Sequence, residues 1–141
     1  MTCWRIGEPL SAACRWGGFA EEVNIPAGNC RPIPAGMDFV KAAAYPAAYL
    51  TAYVGLVIRG NLKAGETLLV HGSTGGVGMA AVDMGKMLGA TVIATSASDE
   101  KLKVVKARGA DHVLNVTHGF REEVKALTGG FGVERALDCS A

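Results

Sequence analysis

Residues 67–70 (Thr-Leu-Leu-Val) are almost wholly apolar, with no polar face, which marks a strand buried on both sides of a parallel sheet. After a glycine-rich stretch, apolar residues return at Val77, Ala80, Ala81, Met84 and Leu88. That is the three- and four-residue spacing of a helix with one buried face. The alternation repeats down the chain and predicts strands over 67–70, 91–95, 112–114 and 133–138, with helices over 76–88, 98–107 and 119–127. Gly89, Gly109 and Gly129 stand where these helices stop, as a left-handed terminator requires. Strands joined through helices of this length need crossovers and pair in parallel. The predicted class is therefore α/β, a doubly wound Rossmann-type sheet. About four strands are found where such a sheet has about six, so the chain reads as a piece of a longer polypeptide.

Upstream the pattern changes. The stretch 1–34 is irregular and rich in Gly and Pro, with one strand-like run over 18–25, and its pieces close no unit. From Met37 to Gly60 it turns helical, with Asp38 predicted to cap a short first helix and Pro46 to open a second. The expected division is thus 1–36 and 37–141, the second part being a nucleotide-binding domain.

Composition narrows the function classes. Half of the 141 residues are apolar and 19% are charged, a globular composition with a formal net charge of +1. No dense Lys/Arg cluster points to nucleic acid, and no apolar run is long enough to span a bilayer. Arg5, Glu8 and Arg15 interrupt any signal-peptide core, so the expected location is the cytoplasm. Cys3, Cys14, Cys30 and Cys139 are scattered without a CxxC pair, so reduced thiols are expected and no metal site.

The candidate chemistry lies in the run His71 to Gly78. A strand, a tight glycine turn and a helix follow in order, which lets backbone approach a diphosphate and points a helix N-terminus at it. Aligned on the GxGxxG pattern the loop reads Ser73-Thr74-Gly75-Gly76-Val77-Gly78, with Ser73 in place of the first glycine. Gly75 is predicted to lie against the pyrophosphate, and Gly78 to let the helix pack closely on the strand. No Lys-Ser/Thr follows, so this is not a Walker loop. At the end of the second strand, where NAD-preferring domains place an acid, stand Thr95, Ser96, Ala97 and Ser98. Ser96, Ser98 and Lys101 suit a 2′-phosphate and favour NADPH over NADH. Two other readings stay open: that Ser98 only caps a helix whose dipole Asp99 and Glu100 complement, or that Asp99 is itself the ribose acid, which reverses the preference. Tyr45, Tyr49 and Tyr53 recur every four residues, as a packed stripe does. His71 suits ligand contact and strand-end packing equally. No nucleophile, base and orienting group assemble, which is compatible with hydride transfer carried by a cofactor.

The residues Gly17-Gly18-Phe19-Ala20-Glu21, Ala43-Ala44-Tyr45-Pro46, Leu50-Thr51-Ala52-Tyr53, Gly65-Glu66-Thr67, Leu88-Gly89-Ala90, Gly109-Ala110-Asp111 and Leu127-Thr128-Gly129-Gly130, in order around the GGVG loop, resemble the quinone oxidoreductase (zeta-crystallin-like) branch of the zinc-independent medium-chain dehydrogenase/reductase superfamily. The resemblance implies a remnant of a GroES-like catalytic domain before the nucleotide-binding part. It implies hydride transfer from NADPH to a quinone or α,β-unsaturated carbonyl, in a parent that is a homo-oligomer. It places Thr51 near the cofactor and the Ser96, Ser98 and Lys101 region at the 2′-phosphate. Cys139 and Ser140, with Ala141, fall in the loop beside the nicotinamide. Val116 departs from relatives that have a tyrosine there, and Ala47 stands near a cysteine zinc ligand of zinc-dependent relatives. The alternatives are a non-catalytic nucleotide-binding or interaction module, and an enoyl-reductase segment of a larger synthase.

Overall fold

The computed structural model describes residues 4–140; Cys3 and Ala141 lie outside the described residues. The chain divides into two compact units, Met1–Pro46 and Ala47–Ala141.

In the first unit, β1 (Leu10–Ala12) pairs antiparallel with β2 (Cys30–Pro32), Ser11 opposite Arg31. These strands are three residues each, too short for alternation to announce them. The strand-like run over 18–25 is not a strand. It follows Gly17 (φ +86°) and precedes Pro26, its residues are largely exposed, and no neighbouring strand takes up its backbone groups. Trp4 donates its indole N–H to the Ala27 carbonyl at 2.9 Å, whereas Trp16 is exposed with the Arg15 guanidinium 5.7 Å from its ring centroid.

The helical stretch corrects the expectation of two helices. It is one helix, α1 (Phe39–Tyr53), with Pro46 inside it. Asp38 caps it as predicted, its carboxylate accepting the Lys41 N–H at 2.7 Å. Pro46 has no N–H to give the Ala42 carbonyl one turn back. The Ser11 hydroxyl donates to that carbonyl at 3.2 Å instead, which lets the helix run through.

In the second unit α1 gives way to a π-helical turn, Val54–Arg59, closed by the Gly60 N–H on the Gly55 carbonyl at 2.8 Å. Strand and helix then alternate as predicted: β3 (Thr67–His71), α2 (Gly76–Met87), β4 (Thr91–Ser96), α3 (Asp99–Ala107), β5 (His112–Asn115), α4 (Arg121–Leu127) and β6 (Arg135–Asp138). The four strands form one parallel sheet in the order β5-β4-β3-β6. The fold class is the one expected. Boundaries moved by a residue or two; β6 begins after Glu134 because only there does it meet Leu68 of β3.

Both sheet faces are covered. Leu68, Val70, Val92 and Ala94 face one way, onto Ala52 and Leu56, the Ala80–Val82 turn of α2 and Val105 of α3. Ile93 and Leu114 face the other way, onto Val124 of α4 and the partly buried Leu69 and Phe120. The amino-terminal ends of the strands are tied by side chains. Asp111 accepts the Val92 N–H at 2.6 Å and pairs with Lys86 at 2.7 Å. Glu134 accepts the Thr67 N–H at 2.8 Å, and Arg135 pairs with Glu66 at 3.3 Å.

Candidate functional site

At the opposite edge the strands end at His71, Ser96, Asn115 and Asp138. The chain winds from β3 through β4 to β5 on one side and returns to β6 on the other. The winding therefore reverses between β3 and β6, and outside the carboxyl ends of two such strands an open sheet has its crevice. Gly72 lies at this point in a left-handed conformation (φ +69°). A Cβ there would fall 2.9 Å from the Ser140 nitrogen and 3.0 Å from the Cys139 carbonyl carbon, so two backbones touch at the floor of the crevice.

The loop beyond it is shaped by two further glycines in different ways. A Cβ on Gly78 would lie 2.4 Å from the Gly72 carbonyl oxygen and 2.7 Å from the Ser73 Cα. The first turn of α2 thus rests directly on the loop backbone. Gly75, by contrast, has ordinary dihedrals (φ −82°, ψ 172°), and its Cβ would meet nothing nearer than 3.9 Å. That is ordinary contact with the Gly72 carbonyl oxygen, and Gly76 beside it faces open space. The N–H groups of Gly76, Val77 and Gly78 have no acceptor among the described residues, and no side chain caps α2. At the next helix the start is closed: Ser98 caps α3 by accepting the Lys101 N–H at 3.4 Å. Three bare donors at the positive end of a helix, beside a surface with no Cβ, suit an anion that comes close to the backbone.

Around this cradle the polar side chains are arranged in order. Ser73 is fully buried, and both its N–H and its hydroxyl donate to the Thr95 carbonyl, at 3.0 and 2.9 Å. His71 places Nδ1 2.7 Å from the buried Thr95 hydroxyl and stacks on Phe120 at 5.4 Å between centroids, which is strand-end packing. Thr74 and Ser96 bring their hydroxyls to 3.5 Å, and Ser96 accepts the Ser98 N–H at 3.3 Å. Lys101 is exposed on the first turn of α3. Beyond β6 the Cys139 N–H donates to the His71 carbonyl at 2.9 Å, and the Ser140 N–H and hydroxyl donate to Asp138. Those Ser140 bonds, with the nearby His71, hold the Asp138 carboxyl below its ordinary range. Burial, and then the Asp138 charge, push the Cys139 thiol up, so it stays protonated at neutral pH and is no thiolate nucleophile.

Residues 76–141 match the family model described as "Zinc-binding dehydrogenase". A probable oxidoreductase from Mycobacterium abscessus superposes with a TM-score of 0.85 at 40% identity, over 92% of this chain and 42% of that one. Over this region the chain is similar to zinc-binding dehydrogenases and oxidoreductases. The quinone oxidoreductase from Thermus thermophilus, whose structures include a complex with NADPH, superposes with a TM-score of 0.82 at 35% identity over 87% of this chain and 41% of that one. Among curated proteins, the highly reducing polyketide synthase apmlA of Arthrinium phaeospermum is 38% identical over 126 residues, 86% of this chain. The chain spans 5% of the length of that synthase.

Within the second unit, most of the residues singled out in the sequence converge on one edge of the sheet: Ser73, Thr74, Gly75, Gly76, Val77 and Gly78 in the loop, Ser96, Ser98 and Lys101 after β4, and Cys139 and Ser140 after β6. Thr51 is on exposed α1 surface, its hydroxyl donating to the Ala47 carbonyl at 2.7 Å. The Tyr49 hydroxyl is bonded to Asp83 of α2, which also pairs with Arg108 at 3.2 Å, so Tyr49 is a packing residue. Among the described residues no three His, Cys, Asp or Glu side chains gather as a metal site, and no helix is long and apolar enough to cross a membrane. Sequence reasoning included one further glycine in the run without giving it a role, and gave none to a buried threonine. Gly72, one position before the GxGxxG alignment begins, is the glycine that makes the left-handed turn. Thr95, a buried hydroxyl in an apolar strand, anchors both His71 and Ser73; a polar residue inside an otherwise apolar run was its signal.

Proposed function

We propose that this chain is the nucleotide-binding part, 37–141, of a zinc-independent reductase that uses NADPH to deliver hydride to an electron-poor alkene, a quinone or an α,β-unsaturated carbonyl. One observation carries the reading: α2 begins with three unpaired N–H groups over glycines whose open side would be filled by any Cβ. The bound dinucleotide would supply the hydride, and this chain's residues do the rest. Gly76, Val77 and Gly78 donate to the diphosphate from the positive end of α2, and Gly75 gives it room. Ser73 commits its hydroxyl to Thr95 and holds the loop in place. Thr74, Ser96, Ser98 and Lys101 surround the ribose end, where hydroxyls and an ammonium favour a 2′-phosphate; NADH is the weaker ligand. Cys139, Ser140 and Thr51 lie toward the nicotinamide half.

Titrating the full chain with NADPH and NADH, followed by the fluorescence of the reduced nicotinamide, tests this. Saturable binding with NADPH tighter is expected. No binding of either nucleotide refutes it.

A second reading, an enoyl-reductase segment of a larger synthase, is favoured by the 38% identity to a polyketide synthase. The mass of the intact polypeptide, together with NADPH-dependent turnover of an enoyl thioester against a quinone, separates the two. Nucleotide binding without turnover of either substrate by the longest natural product would instead make the chain a non-catalytic module.

A further inference from the structure

The end of β4 is flanked by the one residue that makes the nucleotide preference ambiguous, Asp99, and the structure shows what becomes of its carboxylate. Asn115, the last residue of β5, is in register with Ser96, the last of β4, so its side chain stands beside the ribose end of the cradle. The Asn115 carbonyl oxygen accepts the backbone N–H of Thr117 at 2.9 Å and the Thr117 hydroxyl at 2.5 Å. A backbone N–H can only donate, so these bonds settle which end of the amide is which. The NH2 end then points at Asp99 and donates to its carboxylate at 2.7 Å. Ser96 is meanwhile occupied with the Ser98 N–H, and Ser98 with the Lys101 N–H, and the Lys101 ammonium stands exposed on the same turn as Asp99 and Glu100.

We infer that Asn115 is a specificity-determining residue: it draws the Asp99 carboxylate toward β5, so the acid neither takes the ribose 2′-hydroxyl nor faces a 2′-phosphate. The inference rests on the nucleotide reading above. Its chemistry is a contest for one carboxylate. Tied to Asn115, Asp99 is a helix-start residue of α3, at the positive end of the dipole. Released, it is a carboxylate at the end of the second strand, the place from which an acid recognises the unphosphorylated ribose and repels the phosphorylated one. The Asn115 side chain is committed to Asp99 and Thr117, so it acts as a positioning residue through Asp99.

A double-variant cycle on the full chain tests this, reading the ratio of NADH to NADPH dissociation constants, with melting temperature as the check on folding. In Asn115→Ala that ratio should fall by about fivefold, the share expected from one exposed hydrogen bond to a charge. In an Asp99→Asn background the same Asn115→Ala change should leave the ratio unmoved, because no carboxylate remains to be released. A ratio that stays constant in Asn115→Ala overturns the inference. So does a loss of both nucleotides in equal proportion, which would make Asn115 merely structural, and so does an equal fall in the Asp99→Asn background. If wild type binds neither nucleotide the binding reading itself fails, an outcome visible before any variant is made.

Discussion

The two ends of the parallel sheet treat their backbone groups in opposite ways. At the amino-terminal end side chains reach in to bond strand amides: Asp111 takes the Val92 N–H, Glu134 takes the Thr67 N–H, and Lys86 and Arg135 neutralise the acids gathered there. At the carboxyl end the loop after β3 withdraws every side chain from the first turn of α2, whose donors are left bare. Both arrangements come from one topology, since parallel strands send all their helix-starting turns to one edge and all their incoming turns to the other. The closed end serves stability. The open end gives up stability in exchange for a place where a ligand can supply the missing partners.

Substitutions that hit one end and spare the other break this comparison most sharply. Gly78→Ala should have the largest effect, because the new Cβ falls 2.4 Å from backbone that has nowhere to go. A loss of about 3 kcal/mol in urea unfolding is expected, with nucleotide binding lost as α2 is pushed off its loop. Asp111→Ala should come next and act only at the closed end. It leaves the Val92 amide and the Lys86 ammonium without their carboxylate, at a cost of about 2 kcal/mol. The dissociation constant for NADPH should stay at the wild-type value once the chain is folded.

Gly75→Ala reverses that pattern. Its backbone is one any residue adopts and its Cβ would touch nothing closer than 3.9 Å, so the melting temperature should hold. The methyl occupies the space a diphosphate needs, and NADPH affinity should fall about tenfold, or about 1.4 kcal/mol. An unchanged affinity would show that nothing docks against Gly75. Ser98→Ala sits between the ends, since α3 starts at the open edge yet is capped. It should cost about 1 kcal/mol of stability, and weaken NADPH more than NADH.

How much of this was visible in the sequence differs along the chain for physical reasons. Where burial is two-sided and continuous, as in Leu68–Val70 and Val92–Thr95, the apolar run alone announced the strand, and the glycine turn announced what the strand leads into. Where structure depends on a partner far away in sequence, it was hidden. The strand-like run over 18–25 promised a strand that no neighbour supports, while β1 and β2 pair across about twenty residues with three residues each. Pro46 looked like a helix start because the Ser11 hydroxyl that rescues the Ala42 carbonyl is not a local signal. Within the site, the glycines were legible because each answers a backbone demand. Thr95 and Asn115 were not, because their roles lie in what they bond across the sheet.

The smallest effect expected is the response to acid, and its sign follows from the closed end. Desolvation raises the Asp111 carboxyl, but hydrogen bonds from Lys86 and the Val92 N–H outweigh it and hold the group below its ordinary value of 3.8. The Glu134 carboxyl is held below its ordinary 4.5 first by the Thr67 N–H. A carboxyl depressed in the folded state contributes stability above its unfolded pKa. As the pH falls below that value the unfolded chain takes up the proton first, and the contribution drains away until the folded group is protonated too. Asp111→Asn keeps an oxygen for the Val92 amide and removes the charge facing Lys86. It should therefore melt below wild type at about pH 7, and the gap should narrow as the pH drops through 3.8 toward about 3. A gap that stays constant over that range would mean that Asp111 holds β4 and β5 together by shape and hydrogen bonding alone, and that charge at the closed end adds nothing.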